Sequence, residues 1–413
     1  MPRQPIRAVS DAAWLAVLRL LLAGVVLLAC GESTGPEARQ TYADVVAGGF
    51  LTCALSNEGE TFCWGYSDAR WLSDAAVRPE YGEHSVSDDT AWSIEDWVRP
   101  RPLEGDPGFS SIAGGGSFAC GLVASGGAYC WGRNERGQLG DGTSGADRYR
   151  AEPVTGDVRF SGFAALAATV HACALDQSGR AYCWGNNWRR QLGAGPDVDS
   201  LFLPVPTPVA GNHVFEMLAA GPGESCGLTA TSDLYCWGAD GSGLRDYSRS
   251  NDRGAPELIP TSLRFDTIGV GSSVTCGLVD GTAYCRGWNG NGVLGTGDTI
   301  SRATFTPVAT ELRFDQVSVG RVHVCALTDT GTAYCWGAGT SGRLGNGSTE
   351  TKLVPTPVAG GHLFRKLSAG GDHTCGLTTA GDIYCWGDGF NAQLGNGRRE
   401  DGAVPVRIAP PVG

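Results

Sequence analysis

"CALDQSGRAYCWG", residues 173–185, decides how this chain folds. Cys173 and Cys183 bracket a short polar stretch, and a Trp-Gly dipeptide follows the second cysteine. If Cys173 lies opposite Cys183, then Ala174 faces Tyr182, Leu175 faces Ala181 and Asp176 faces Arg180. The loop left over is Gln177-Ser178-Gly179. Three-residue hairpin loops want a left-handed residue at their third position, which suits glycine. The same count places Gly59, Gly126, Gly331 and Gly381 there, with Ser232 as the one exception. The pair Cys276/Cys285 is one residue shorter, and its loop becomes Asp280-Gly281, the two-residue type I′ sequence. Loop length and turn chemistry therefore adjust together to hold the cysteines opposite each other. Opposed residues have Cβ atoms about 4.5–5.5 Å apart, near enough for a disulfide.

The remaining pairs are Cys53/Cys63, Cys120/Cys130, Cys226/Cys236, Cys325/Cys335 and Cys375/Cys385, so fourteen of the 15 cysteines are used and only Cys30 is left. Zinc is the competing reading, but no Cys-x-x-Cys or Cys-x-x-His spacing occurs. First cysteines recur at intervals of 67, 53, 53, 50, 49 and 50 residues, a period that signals a propeller or solenoid. Each unit has an extended stretch such as "FDQVSVG" (Phe314), the cysteine hairpin, a glycine-rich turn such as "GTSGRLGNG", and a Pro-Val stretch as at Pro357-Val358. With 63 glycines and short strands, backbone entropy opposes folding, and each staple contributes roughly 2–3 kcal/mol. Trp64, Trp131, Trp184, Trp237, Trp336 and Trp386 share one place in the repeat and read as packing residues. The fifth unit departs, with Arg286 at that place and Trp288 displaced.

The pattern Gly-x-x-His-x-Cys-x-Leu, Gly-x-x-Tyr-Cys-Trp-Gly, Gln-Leu-Gly-x-Gly and Pro-x-x-Val resembles the regulator of chromosome condensation repeat, in seven copies over residues 42–409. The resemblance implies an all-β fold, a seven-bladed β-propeller of four-stranded antiparallel blades, here with one hairpin disulfide per blade. By analogy with that family, the terminal strand 404–409 is expected to pair with the first hairpin and close the ring. The founding member exchanges guanine nucleotide on a small nuclear GTPase, and another member blocks a secreted enzyme with its propeller face. Fold alone does not choose between such functions.

Arg3 and Arg7 precede an apolar run, Leu20 to Ala29, that ends at Cys30. Ten apolar residues are too few to span a bilayer and suit a signal peptide. "LLAC" (Leu27–Cys30) resembles a bacterial lipobox, although Leu28 is not the small residue usual there. The expected organisation is a signal peptide over 1–29, lipidation at Cys30, a flexible tether over 30–41, the propeller over 42–409 and a tail over 410–413. The expected location is the bacterial cell envelope, membrane-anchored through the lipid only; a secreted protein with an ordinary cleaved signal is the alternative. Paired cysteines independently call for an oxidising compartment. Losing Arg3, Arg7, Arg19 and Asp11 takes the formal charge from −12 to −14, which removes nucleic acid from the expected partners.

His171, His323 and His373 recur two residues before a cysteine, but Leu51, Phe118, Glu224 and Val274 fill the same place elsewhere. A position that accepts Leu or Phe is for packing rather than coordination, so no metal and no cofactor are expected. There is no Gly-x-Ser-x-Gly elbow or P-loop, and "DGTSGADRYRAE" (Asp141) lacks the acids of an EF-hand. The chain reads as a monomer and not an enzyme. One stretch breaks the period, the excursion over 65–108, which carries ten acids, four arginines and the aromatics Tyr66, Trp71, Tyr81, Trp92 and Trp97. Long loops in compact domains are usually functional or disordered, and these five are the candidate partner-binding residues. The expected function is an extracytoplasmic binding scaffold for a protein or a glycan. Alternatives are a guanine nucleotide exchange regulator and an extracellular enzyme using the central channel.

Overall fold

The computed structural model describes residues 39–65, 98–166, 170–240 and 251–412. The chain divides into Met1–Gln40 and Thr41–Gly413, and the second unit is the propeller. Each repeat forms one antiparallel blade. In blade 3 the hairpin strands His171–Asp176 and Ala181–Asn186 lie between an inner strand, Phe160–Phe163, and an outer strand, Phe202–Pro208. The hairpin register follows the turn chemistry: Cys173 opposes Cys183, Ala174 opposes Tyr182 and Leu175 opposes Ala181. Gly59, Gly126, Gly179, Gly331 and Gly381 have φ between +80° and +88°, and Ser232 takes up the same conformation at +56°. Asp280 and Gly281 are both left-handed, as a type I′ turn requires.

Seven disulfides follow from that register, one in each blade. They join Cys53 to Cys63, Cys120 to Cys130, Cys173 to Cys183, Cys226 to Cys236, Cys276 to Cys285, Cys325 to Cys335 and Cys375 to Cys385. In every case the two residues are directly opposed on the hairpin. The hydrogen bond from Asp176 N–H to the Arg180 carbonyl fixes the alternation in blade 3, and three pairs along it leaves Cys173 and Cys183 as a non-hydrogen-bonded pair. Such pairs bring their side chains closest together, and the bridged Cα atoms stand 4.0–4.1 Å apart in all seven. All fourteen of these cysteines are buried, so the staples belong to the packed interior.

Each blade's sheet contains its own four consecutive strands. Blade 3 adds one irregularity: its inner strand breaks, and Ala165–Leu166 crosses to pair in parallel with Ala219–Ala220 of blade 4. Between blades, the repeated tryptophans are buried. Trp64, Trp184 and Trp336 donate their Nε1–H to the carbonyls of Gln393, Gln138 and Val293 in the preceding blade. Those acceptors sit in the Gln-Leu-Gly turn or its counterpart, whose glycine lies flat on the indole. A Cβ at Gly140 would stand 2.7 Å from Trp184 Nε1, so this close approach requires glycine.

The ring closes differently from the expected strand exchange. The final strand, Gly402–Arg407, pairs with its own hairpin strand, Ile383–Gly387, through Tyr384 opposite Arg407. Blade 1 completes itself with a two-residue outer strand, Arg101–Pro102, after the excursion. The physical reason is phase. The first described strand, Tyr42–Ala47, is an inner one and the last, Gly402–Arg407, an outer one, so the described strands make up seven complete blades and leave none to share. The closing seam reuses the bond found at the others: Tyr42 N–H donates to the hairpin-turn carbonyl of Gly381 (3.0 Å), as Phe364 does to Gly331 and Phe215 to Gly179. Lys366 adds an ion pair to Asp44, and Val412 N–H reaches the carbonyl of Pro100.

Antiparallel alternation gives the propeller two ends. Hairpin tips such as Asn57 and Gly381 lie at one end, and the chain enters there, with the Thr41 carbonyl accepting from Asn57 N–H. The turns from inner strand to hairpin, and the long connections from hairpin to outer strand, gather at the opposite end, the mouth.

Candidate functional site

The mouth is rimmed by the short glycine turns that enter each hairpin. Gly371 N–H donates to the Gly48 carbonyl, Gly49 N–H to Gly115, and Arg321 N–H to Gly370, so adjacent blades are joined backbone to backbone. A Cβ at Gly48 or Gly370 would stand 2.1 Å from the next blade's carbonyl oxygen. The glycine runs are therefore close-approach positions for neighbouring turns. Inside this rim is a cavity of about 580 Å³ whose walls include Phe50, Trp188, Arg133, Arg136, Arg189 and Arg321.

Among the charged residues of its wall, four arginines stand against two acids, although the chain as a whole is acidic. Asp372 bridges Arg321 (2.6 Å) and Arg343. Burial alone would raise the Asp372 pKa, but the hydrogen bond from Arg321 and the charge of Arg343 hold it below the usual carboxylate range. Arg189 meets the buried Asp252 at 2.9 Å, and Arg133 meets Glu135 at 2.6 Å. Arg136 is exposed and has no ion-pair partner among the described residues. The described aromatics that are exposed are Phe50 (38 %), Trp188 (53 %) and Phe390 (67 %), and all three stand in turns at the mouth. At the hairpin-tip end, the exposed large apolar residues Val214, Leu258 and Leu363 are all aliphatic.

The three repeated histidines are fully buried at the seams between blades. Their Nε2 atoms contact hydroxyls of the next blade: His171 to Ser225 (2.8 Å), His323 to Thr374 (2.8 Å) and His373 to Thr52 (2.7 Å). Each hydroxyl gives its own proton to a carbonyl, of Gln191, Arg343 or Gln393, so Nε2 is the donating nitrogen. Burial lowers the pKa of His171 and His323 to about 3 and that of His373 to about 4. A second proton on Nδ1 of His323 or His373 would find no hydrogen-bond acceptor.

Glu224 occupies the histidine place in blade 4. Its carboxylate accepts from Thr275 of blade 5 (3.0 Å) and meets Arg286 at 3.2 Å and Arg253 at 3.4 Å. Arg286 stands where the other blades have tryptophan and lies over the ring of Phe305. Glu224 also lies near Cys226 and Cys236, but those sulfurs form a disulfide and the carboxylate already serves two arginines, so the trio is a seam element. In the remaining seams both partners are apolar: Leu51 with Ala119, Phe118 with Ala172, and Val274 with Val324 share buried clusters.

The residues singled out in the sequence fall into two groups. The hairpin cysteines are found, but as structural staples: Cys53, Cys120, Cys173, Cys226, Cys276, Cys325 and Cys375 on one strand, and Cys63, Cys130, Cys183, Cys236, Cys285, Cys335 and Cys385 on the next. None of them lines the mouth cavity. Cys30, Tyr66, Trp71, Tyr81, Trp92 and Trp97 lie outside the described residues. The excursion leaves at Gly65 and the described chain resumes at Val98, both at the mouth end of blade 1. The mouth aromatics and arginines carry no signal in the sequence because they occupy the variable positions of otherwise repeated turns.

A family model for the RCC1-like domain matches residues 80–412. The chain belongs to the RCC1-like domain family. Among curated proteins, this RCC1-like chain is 27 % identical over 248 residues to the mitochondrial RCC1 domain-containing protein RUG3 of Arabidopsis thaliana, covering 57 % of this chain and 51 % of that protein. It is 29 % identical over 182 residues to the mouse regulator of chromosome condensation, covering 44 % and 39 % respectively. The matches thus span about half or less of these relatives. Among solved structures, Prp20p of Saccharomyces cerevisiae superposes with a TM-score of 0.68 at 20 % identity, over 90 % of this chain and 88 % of that one. That likeness establishes the RCC1-like propeller fold.

Proposed function

We propose that this RCC1-like chain is a non-catalytic binding scaffold, held outside the cytoplasm by a lipidated Cys30, that engages a protein or glycan at the mouth of its propeller. The observation that carries the reading is the gathering of the exposed aromatics Phe50, Trp188 and Phe390 at one end of the ring. Exposed aromatic and arginine side chains around a concavity are what binding surfaces use as anchors. Seven disulfides favour an oxidising compartment, and no helix among the described residues is long and apolar enough to cross a membrane. A non-catalytic role is supported by the buried histidines, whose donors are taken up in joining blades. Prp20p, whose structure was described with its binding to Gsp1p and histones, is a protein-binding propeller of the same fold. A nucleotide-exchange role would need a cytosolic or nuclear GTPase, which an exported chain does not meet.

The test is cross-linking capture of partners from the cell envelope by the mature protein. Trp188→Ala and Phe390→Ala should weaken capture by up to ~2 kcal/mol for a true hot spot, with unchanged thermal stability. Val214→Ala and Leu363→Ala at the other end should leave capture intact. The opposite pattern overturns the reading.

A further inference from the structure

We propose that the mouth cavity is a carboxylate-recognition site and that its occupant is an acidic segment of a polypeptide. This deepens the binding reading above and rests on it. Arg133, Arg136, Arg189 and Arg321 converge on one concavity of about 580 Å³, against Glu135 and Asp372 as the acids in its wall. Asp372 is shared by Arg321 and Arg343, with Asp388 adding its charge near Arg343. Arg136 is exposed and without an ion-pair partner among the described residues. Glu135 and the buried Asp252 answer Arg133 and Arg189 one for one. The cavity is thus a locally cationic spot on a chain of formal charge −12. A cleft concentrates such a field, and guanidinium groups bind carboxylates through two parallel hydrogen bonds.

The apolar part of the wall decides between classes of anion. Trp188, Phe50, Val170 and Leu201 stand beside the arginines, the first at 53 % exposure. Aliphatic and aromatic surface interleaved with arginine matches a polypeptide that carries both apolar and acidic side chains. An acidic glycan offers carboxylates and sugar faces for Trp188, but nothing for Val170 and Leu201 to bury.

The test is fluorescence anisotropy of the mature protein with a labelled Glu-Glu-Phe-Glu-Glu peptide, its Gln-Gln-Phe-Gln-Gln analogue and an oligogalacturonate of similar length. The acidic peptide should bind at least tenfold more tightly than the glutamine analogue at 50 mM salt, and the preference should shrink as salt rises. Arg136→Glu should abolish that preference, Arg136→Lys should keep part of it, and Trp188→Ala should weaken both peptides by several fold. Equal binding of the two peptides, or a preference that survives Arg136→Glu, overturns the proposal. Tighter binding of oligogalacturonate overturns it in favour of a glycan. If capture of envelope partners is lost in Trp188→Ala but unaffected by Arg136→Glu, the mouth remains the binding face and the carboxylate reading alone fails.

Discussion

At the seam between blades 5 and 6, Val274 packs with Val324 in one buried cluster; one seam further on, His323 donates to Thr374. These pairs occupy equivalent places, two residues and one residue before the cysteines of successive blades. Their chemistry is opposite, yet within each seam the partners agree. Apolar meets apolar at three seams, histidine meets a hydroxyl at three, and at the seventh Glu224 meets Thr275 and Arg286. Geometry therefore sets where the pair sits, and buried-polar satisfaction sets which residues can share it. A polar residue facing an apolar partner would be left unsatisfied, which is why the two columns change together.

Acidification should separate the two kinds of seam most strongly. The folded chain keeps His171, His323 and His373 neutral, with pKa values near 3, 3 and 4, while an unfolded chain protonates them near the ordinary 6.5. Above that value neither state is charged, and the full stability is present. Below it the unfolded state binds protons that the folded state cannot, so stability falls as pH drops toward 4. Each histidine loses about 1.4 kcal/mol per pH unit, which is roughly 6 kcal/mol for the three between pH 7 and pH 5. Denaturant unfolding at those two pH values measures it. Replacing His323 and Thr374 together by valine, copying the neighbouring seam, should remove about a third of the loss. A pH-independent stability would mean the histidines are not held neutral.

The charged seam ranks next. Glu224→Gln leaves Arg286 buried without its counter-charge and should cost about 3–5 kcal/mol. The double replacement Glu224→Leu with Arg286→Met should recover most of it, because a buried ion pair is often replaceable by apolar residues at little cost. Thermal unfolding of the two singles and the double reads this directly. If each single is harmless, the pair is solvated and the seam is not sealed there. The smallest effect is Thr374→Val alone, which strands the His323 donor and should cost about 1–3 kcal/mol.

Local features are legible in the sequence and shared ones are not. The hairpin register follows from Gly179 and its counterparts, because a turn states its geometry within a few residues. The staples follow from that register, down to the one-residue shortening between Cys276 and Cys285. The period and the packing tryptophans follow from repetition. Ring closure is misread because an outer strand looks the same in sequence whether it joins its own hairpin or the first one. His323 reads rightly as a packing position, but its partner Thr374 lies 51 residues away in the next repeat. The signal is a correlation between two columns offset by one blade. Arg286 and Glu224 each stand out as departures, and nothing local joins them, for the same reason. At the mouth, Trp188 and Arg136 stand at variable positions just before the repeated Gln-Leu-Gly, where the repeat does not single them out, and the aromatic excursion after Gly65 draws attention instead.

Because each blade's own strands come from one stretch of chain and the last is sealed to the first by the same turn hydrogen bond and histidine–hydroxyl contact used at other seams, the ring has a beginning only in sequence. Thr41 lies beside the tip of blade 7 at Gly381, and Ile408 lies beside Ile383 in the same blade, so the two ends flank one hairpin. Joining them and cutting any other connection between blades would yield the same object with its origin moved. Such an architecture can gain or relocate a start point without redrawing a sheet, much as a necklace closed by touching beads can be unstrung at any bead.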